Sequence, residues 1–285
     1  MMCFLGLLRI KHYVKNILIA VPLVCSGTFG ADAHRSTWLL LVAIASFCLI
    51  SSSVYILNDV VDYEKDIKHP KKRMRPIARG IVGVPLALVL AMGLLAAAVA
   101  LGVYVSLLSS WAALVVLVLY FAMNLSYSFF LKHVPVIEVA ILASGFLLRV
   151  LFGGFATGIE VSSWLYLTVL SVSFYLGLGK RRNELDIHSV DITREVLKQY
   201  NRRFLDRNMY MFLALSICFY SLWAMEQGHK ALLSVPMVMI LCMRYSLIVE
   251  GSSDGDPVDV ILGDKFLLGL GAIYSVYMIA VFYVI

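Results

Sequence analysis

The sequence has 285 residues, of which 61% are hydrophobic and 15% are charged, and its mean hydropathy is +0.88. This composition excludes a soluble globular domain and predicts a protein that crosses a membrane several times. The five cysteines stand singly and show no metal-ligand spacing, so neither a disulfide framework nor a zinc site is indicated.

The chain begins with a short apolar stretch, residues 1–8, that precedes its first positive charges. This order is the reverse of a cleavable signal peptide, so we expect the first spanning helix to direct insertion. The next segment reads LLRIKHYVKNILI, and a helix would present Lys11, Lys15 and Asn16 together at the membrane surface. Two roles are open for these residues, namely anchoring at the membrane surface and binding of a substrate.

Apolar runs of about 20 residues can cross a bilayer core, and nine runs approach this length. They predict nine transmembrane helices at residues 16–34, 38–57, 83–106, 111–131, 135–157, 162–179, 208–226, 231–249 and 265–285. With a cytoplasmic N-terminus, 21 of the 24 Lys and Arg residues fall on the cytoplasmic side. The pattern predicts an integral protein of the inner (cytoplasmic) membrane with cytoplasmic cap segments at about 62–82 and 180–207. Topology and anionic ligands then explain the net charge of +6 without nucleic acid.

Residues 55–80 read YILNDVVDYEKDIKHPKKRMRPIARG and turn from apolar to acidic to basic. If the helix continues, Asp59, Asp62 and Asp66 lie within about 60° of one another on one face, with Asn58 beside them. Such carboxylates repel one another unless a cation lies between them, and Mg²⁺ prefers oxygen ligands completed by substrate phosphates. The basic residues that follow, which include Lys72, Arg73 and Arg75, could bind the same anionic ligand. The alternative is a solvated charge cluster next to the membrane.

The segment NDVVDYEKD resembles the NDxxDxxxD motif of the UbiA superfamily of intramembrane prenyltransferases, and HPKKRMRPIARG resembles its usual continuation. The resemblance implies an all-α, UbiA-like transmembrane bundle that forms a single domain over residues 1–285. It also implies an Mg²⁺-dependent transferase with its active site on the cytoplasmic side. Asn58, Asp59 and Asp62 would be catalytic, and Asp59, Asp62 and Asp66 would bind the metal.

The stretch from the fourth to the fifth span carries the polar residues Tyr127, Lys132, Glu138 and Arg149. A charged side chain at membrane depth costs a few kcal/mol, so Glu138 and Arg149 should be buried against partners. They are eleven residues apart, too far to pair directly, and Arg149 suits either a phosphate or a structural partner. This stretch, the segment around Lys15 and the tail after Arg244 resemble the phosphoribosyltransferase branch of the superfamily.

UbiA proteins usually carry a second acidic motif, DxxxD, at the end of the sixth span. Here Lys180 replaces the first acid, Arg181 follows it, and Glu184 replaces the second acid as a metal ligand. The extra positive charge suits a donor that carries both a pyrophosphate and a phosphate. This departure from the family pattern argues against a symmetric metal site built from two acidic motifs.

The resemblance to the phosphoribosyltransferase branch, supported by the extra positive charge, implies transfer of phosphoribose from 5-phosphoribosyl diphosphate (PRPP) to a polyprenyl phosphate, with release of pyrophosphate. The candidate substrate-binding residues are Lys11, Lys15, Asn16, Lys72, Arg73, Arg75, Tyr127, Lys132, Arg149, Lys180 and Arg181. One alternative is a prenyltransferase that moves a prenyl group from a prenyl diphosphate to an aromatic or other small acceptor. A transporter or channel is a third possibility, disfavoured because no inverted repeat is visible. Membrane lipid is an expected partner, and the sequence is compatible with a homo-oligomer.

Overall fold

A computed structural model describes residues 6–27, 31–68, 72–187, 195–251 and 256–284, and within these ranges it contains helices and no strands. The described α-helices are α1 (Val21–Cys25), α2 (Ala31–Val61), α3 (Tyr63–Lys68), α4 (Val84–Leu108), α5 (Trp111–Phe129), α6 (Ile137–Thr157), α7 (Ser163–Ile187), α8 (Arg202–Glu226), α9 (His229–Leu232), α10 (Val235–Val249), α11 (Pro257–Gly263) and α12 (Lys265–Tyr283). Short 3-10 helices cover Ile10–Ala20, Lys72–Met74, Leu131–His133 and Glu195–Gln199. The predicted all-α class is confirmed.

Seven helical segments in the described part of the chain are long and apolar enough to cross a bilayer. They are His34–Val61, Val84–Leu108, Trp111–Phe129, Ile137–Thr157, Arg202–Glu226, His229–Val249 and Lys265–Tyr283. The predicted count of nine is therefore not confirmed. The run at 16–34 begins as a 3-10 helix followed by the short α1, and the run at 162–179 forms α7, whose hydroxyl-bearing and charged residues make it too polar for this group.

The chain divides into two compact units, with one boundary inside α6 after Leu147. The first unit holds the 3-10 helix Ile10–Ala20, helices α2 to α5, and α6 from Leu148 onward. The second unit holds the earlier part of α6 and helices α7 to α12. The predicted cap segments include residues 69–71 and 188–194, which lie outside the described residues.

In the first unit, α2 packs against α4 along a seam of small residues. Ser46 Oγ donates to the Ala98 carbonyl and Ser53 Oγ donates to the Ala91 carbonyl, each at 2.8 Å. Small side chains let the two backbones approach, and hydroxyl-to-carbonyl bonds satisfy polar groups that lipid cannot. This packing fixes the direction of α2, whose C-terminal end carries the acidic residues.

A second close approach in the first unit holds the N-terminal 3-10 helix against α6. A Cβ atom added at Gly153 would lie 1.9 Å from the Ile19 carbonyl oxygen, so only glycine allows this contact. The 3-10 helix is eleven residues long, whereas runs beyond three or four residues are uncommon. The contact places Asn16, one turn before Ile19, against the same face of α6.

In the second unit, α7 packs against α8 and α10 around buried Tyr175, Leu178 and Met209. Gly179 lies in this seam, where an added Cβ would be 3.2 Å from Val249 Cγ1. The side chain of Asn201 caps the start of α8 by accepting from the Phe204 amide at 2.8 Å. This arrangement holds the basic C-terminal end of α7.

Candidate active site

The acidic residues of the first unit lie on one continuous helical path. The Asp62 amide donates to the Asn58 carbonyl at 2.9 Å, and the Asp66 amide donates to the Asp62 carbonyl at 2.8 Å. These are i to i−4 bonds, so helical backbone runs from the end of α2 into α3. The predicted continuation of the helix past the apolar run is confirmed, and it carries Asp59, Asp62 and Asp66 on adjacent turns.

Asp59 and Asp66 converge on a single cationic group. Arg75 Nη1 lies 2.9 Å from Asp59 Oδ1 and 2.6 Å from Asp66 Oδ2. Asp59 Oδ1 also accepts a hydrogen bond from Arg9 Nη2. The carboxylate side chains are 3% exposed, whereas those of Arg9 and Arg75 are 19% and 23% exposed. Two buried carboxylates thus meet guanidinium groups that retain access to solvent.

Asp62 belongs to the neighbouring ion pair in the same unit. Lys132 Nζ lies 2.6 Å from Asp62 Oδ1, and both side chains are partly exposed. The Ser128 hydroxyl donates to Asn58 Oδ1 at 3.1 Å. The predicted residues Asn58, Asp62 and Lys132 are therefore held by contacts separate from those of Asp59 and Asp66.

Arg149 is buried in the first unit by polar and aromatic partners. Its Nε donates to Asn16 Oδ1 at 2.8 Å, and its Nη2 donates to the Tyr120 hydroxyl at 3.2 Å. The guanidinium carbon lies 5.0 Å from the centre of the Phe47 ring. The expected burial of Arg149 against a partner is confirmed, and its partners include Asn16, Tyr120 and Phe47.

The remaining predicted residues of the first unit differ in exposure. The side chains of Lys11 and Arg73 are exposed, whereas Lys15, Lys72 and Tyr127 are half-buried. Arg9 was not predicted as a site residue, because the charge count assigns it to topology. Its backbone is left-handed, with φ 52° and ψ 47°, a conformation for which a non-glycine residue gives no sequence signal.

The second unit contains an ion triad in which Glu138 and Arg181 are buried and Glu184 is partly exposed. Arg181 Nε lies 2.6 Å from Glu138 Oε1, and Arg181 Nη2 lies 2.5 Å from Glu138 Oε2. Arg181 Nη1 lies 2.5 Å from Glu184 Oε2. Glu138 and Arg181 are 0% and 1% exposed, so the fork-shaped guanidinium meets the carboxylate in the strongest geometry available to such a pair. The expected burial of Glu138 against a partner is confirmed, and that partner is Arg181.

Further polar contacts of the second unit were not predicted from the sequence. The Tyr200 hydroxyl donates to Glu138 Oε1 at 3.4 Å and accepts from the Val136 amide at 2.6 Å. Burial raises the pKa of Tyr200, which keeps its hydroxyl protonated and able to donate to this carboxylate. Lys180 pairs with Asp256 at 2.8 Å. Contacts between segments this distant in the chain cannot be predicted from the local sequence pattern.

The carboxylate oxygens of Asp59 and Asp66 in the first unit are suitable ligands for a hard divalent cation, and in this structure they are paired with arginine side chains. No group of three or more His, Cys, Asp or Glu side chains lies close enough to hold a metal among the residues described. Asp59 and Asp66 nevertheless aim carboxylate oxygens at one cationic nitrogen, and carboxylates are the ligands that Mg²⁺ accepts alongside phosphate and water. These two residues fit a metal that is completed by a substrate.

The fold and these acidic residues define a member of an intramembrane enzyme family. The profile of the UbiA prenyltransferase family matches residues 19–270, and the chain belongs to this family. The chain is therefore a transferase by family and an integral membrane protein, with seven helical segments in its described part that can cross a bilayer.

Among its curated relatives, the chain is similar to two decaprenyl-phosphate phosphoribosyltransferases. It is 33% identical to the protein from Corynebacterium glutamicum over 282 residues, which covers 95% of this chain and 84% of the relative. It is 35% identical to the protein from Mycobacterium tuberculosis over 274 residues, which covers 91% of this chain and 87% of the relative. Both alignments span nearly all of the chain.

A solved structure confirms the fold. The chain is similar to a UbiA homolog from Archaeoglobus fulgidus bound to GPP and Mg²⁺, with a TM-score of 0.74 and 15% sequence identity. The similarity covers 98% of this chain and 99% of that chain. At this identity the likeness shows a shared fold and leaves the choice of substrate open.

Proposed function

We propose that this protein transfers 5-phosphoribose from PRPP to a polyprenyl phosphate and releases pyrophosphate. The observation that carries the proposal is the 33–35% identity, over more than nine tenths of the chain, to proteins named decaprenyl-phosphate phosphoribosyltransferase. In this reaction the bond between C1 of the ribose and the pyrophosphate oxygen breaks. A new bond forms between C1 and an oxygen of the lipid phosphate.

The acidic site of the first unit supports this chemistry. Asp59 and Asp66 would hold Mg²⁺ together with the diphosphate of PRPP, with Asp62 and Asn58 beside them. A bound Mg²⁺ offsets the negative charge that develops on the departing pyrophosphate, a Lewis-acid contribution of several kcal/mol. Glu184 was predicted as a further metal ligand, and its pairing with Arg181 in the second unit makes it the weaker candidate.

The cations of the first unit would bind the phosphate groups of the substrates. Arg75 and Arg9 contact the carboxylates, so they would supply positive charge beside a diphosphate that those carboxylates hold through Mg²⁺. Lys132, beside Asp62, is a further candidate. The exposed Lys11 and Arg73 and the half-buried Lys15 and Lys72 add positive charge to the segments on either side of the acidic helix.

The nucleophile in this proposal does not require a general base. A lipid phosphate is already an anion at neutral pH, so its oxygen can attack C1 without losing a proton first. The site residues supplied by the first unit are carboxylates, amides, hydroxyls and cations, which suits binding and charge stabilisation rather than proton transfer. We place this site on the cytoplasmic face, following the distribution of Lys and Arg.

The test is a transfer assay with the purified protein, polyprenyl phosphate and PRPP that carries ³²P in its 5-phosphate, in detergent or nanodiscs. We expect label in the lipid fraction that depends on both substrates and on Mg²⁺. A parallel assay supplies a labelled prenyl diphosphate with 4-hydroxybenzoate, an aromatic acceptor. Absence of lipid-linked ribose together with turnover of the prenyl diphosphate would reject the proposal in favour of a prenyltransferase.

A further inference from the structure

We infer that Arg9 and Arg75 are internal counter-ions that oppose binding of free divalent metal at Asp59 and Asp66 until a diphosphate enters with it. The inference rests on the proposed function only in taking a diphosphate as the ligand. It assigns to the two arginines a role in the order of binding, in addition to contact with a phosphate.

The first step of the argument is charge balance. The acidic cluster of the first unit contains three carboxylates, Asp59, Asp62 and Asp66, and each is paired with a cation. The paired cations are Arg9, Arg75 and Lys132, so the cluster is neutral as a whole. Adding a divalent cation to a neutral cluster whose key carboxylates are buried leaves positive charge uncompensated, and uncompensated charge is costly away from water.

The second step is competition for the same oxygen atoms. Asp59 Oδ1 accepts from both Arg9 and Arg75, and Asp66 Oδ2 accepts from Arg75. A metal that used these oxygens would have to displace guanidinium groups from them. Arginine does not lose its proton in proteins, so a displaced guanidinium needs another anion.

The third step is that a diphosphate supplies this anion. Its oxygens accept paired hydrogen bonds from a guanidinium in the fork geometry that arginine prefers. The partial exposure of Arg9 and Arg75 gives both side chains room to turn toward a ligand. Metal and diphosphate should therefore bind with positive coupling, and each should raise the affinity of the other by the same factor.

The experiment measures metal binding without catalysis. Purified wild-type protein is dialysed against Mn²⁺ alone or Mn²⁺ with inorganic pyrophosphate, and protein-bound metal is counted after subtraction of a protein-free compartment. We expect pyrophosphate to increase the affinity of wild-type protein for Mn²⁺ by about tenfold or more, a typical size for coupled sites. In Arg75→Gln, Mn²⁺ alone should bind about tenfold more tightly than to wild type, with a smaller effect of pyrophosphate.

Two further variants serve as controls. Arg75→Lys keeps the positive charge and should leave the affinity for Mn²⁺ alone within about threefold of wild type. Arg79→Gln removes the same charge from an exposed position of the same segment and should behave like wild type. Arg9→Gln tests the second counter-ion and replaces Arg75→Gln if that variant does not fold.

The inference is wrong if wild type binds Mn²⁺ as tightly without pyrophosphate as with it. It is also wrong if neither Arg75→Gln nor Arg9→Gln increases the affinity for Mn²⁺ alone. These outcomes are separate from a failure of the proposed function, in which coupling would persist while ribose transfer to lipid would be absent.

Discussion

The two units each contain a cluster of paired charges, and the clusters are built differently. In the first unit, Arg75 contacts Asp59 and Asp66 through one nitrogen and is 23% exposed. In the second unit, Arg181 donates hydrogen bonds to Glu138 through two nitrogens and is 1% exposed. Removing one partner from a bidentate, buried ion pair is costly because it leaves an uncompensated buried charge. A partly exposed pair that is joined through a single nitrogen can instead exchange its partner for a ligand.

The backbone elements that carry or flank these arginines also differ between the two clusters. Arg75 follows the three-residue 3-10 helix Lys72–Met74, and Arg9 precedes the 3-10 helix Ile10–Ala20. Arg181 instead lies within α7, a helix of 25 residues. We therefore expect substitutions in the second cluster to affect stability, and substitutions in the first cluster to affect activity in protein that remains folded.

The largest effect is expected for Glu138→Gln. Losing one partner of a buried pair leaves Arg181 with less compensation, which typically costs about 3–5 kcal/mol. Thermal unfolding in detergent should show a large loss of stability. Glu184→Gln should cost less because Glu184 is partly exposed and Arg181 would keep Glu138, and the exposed Glu160→Gln should cost little. Equal stability of Glu138→Gln and Glu160→Gln would contradict a structural role for the triad.

Asp59→Asn and Asp66→Asn are expected to reduce ribose transfer by about 10²–10³-fold while the protein stays folded. The amide removes the charge that a metal and its diphosphate require, and contributions of this kind to a transition state are of that size. The measurement is initial rate at saturating PRPP, with unfolding temperature recorded for each variant. Glu64→Gln, an exposed acid on α3, is the matched control and should retain near-wild-type rates. Full activity of Asp59→Asn would remove the basis for metal-assisted chemistry at this site.

Gly153→Ala is expected to destabilise the first unit by about 1–3 kcal/mol, the usual cost of overpacking. The added methyl group would overlap the Ile19 carbonyl, so the 3-10 helix that carries Asn16 must move away from α6. Gly93→Ala is the control, because an added Cβ there meets nothing within 4 Å. Both are measured by thermal unfolding, and a Gly93→Ala variant less stable than Gly153→Ala would contradict the packing described.

The smallest effect is expected at Asp264, which caps α12 by accepting from the Leu267 amide at 2.8 Å and pairs with Arg244. The hydrogen bond from Arg244 lowers the pKa of Asp264 in the folded protein. Its stabilisation is therefore complete above the unfolded pKa of about 3.9 and is lost as pH falls through the lower folded value. Asp264→Asn should be slightly less stable than wild type at pH 7, and the difference in unfolding temperature should shrink below about pH 4. A difference that grows on acidification would contradict this assignment.

The sequence alone predicted the helical class, the positions of most membrane-crossing helices and the acidic face at the end of α2. Each depends on local properties, namely run length, composition and residue spacing along one helix, and these survive folding because neighbouring turns fix them. The run at 162–179 was placed correctly as a helix. Its length suggested a membrane span, but its polar residues make α7 less apolar than the seven segments that can cross a bilayer. The run at 16–34 is not confirmed as a single spanning α-helix, because its described part begins as a 3-10 helix followed by a short α-helix, and apolarity does not distinguish these from one long α-helix.

Tertiary structure decided which charges meet. Arg9 and Asp59 are fifty residues apart, and Lys132 and Asp62 are seventy residues apart, so these contacts depend on the packing of segments that are distant in sequence. The sequence could place Glu138 and Arg149 on one helix and require partners for both. Only the packing showed that Glu138 pairs with Arg181 and that Arg149 pairs with Asn16, because burial fixes the need for a partner while the fold supplies its identity.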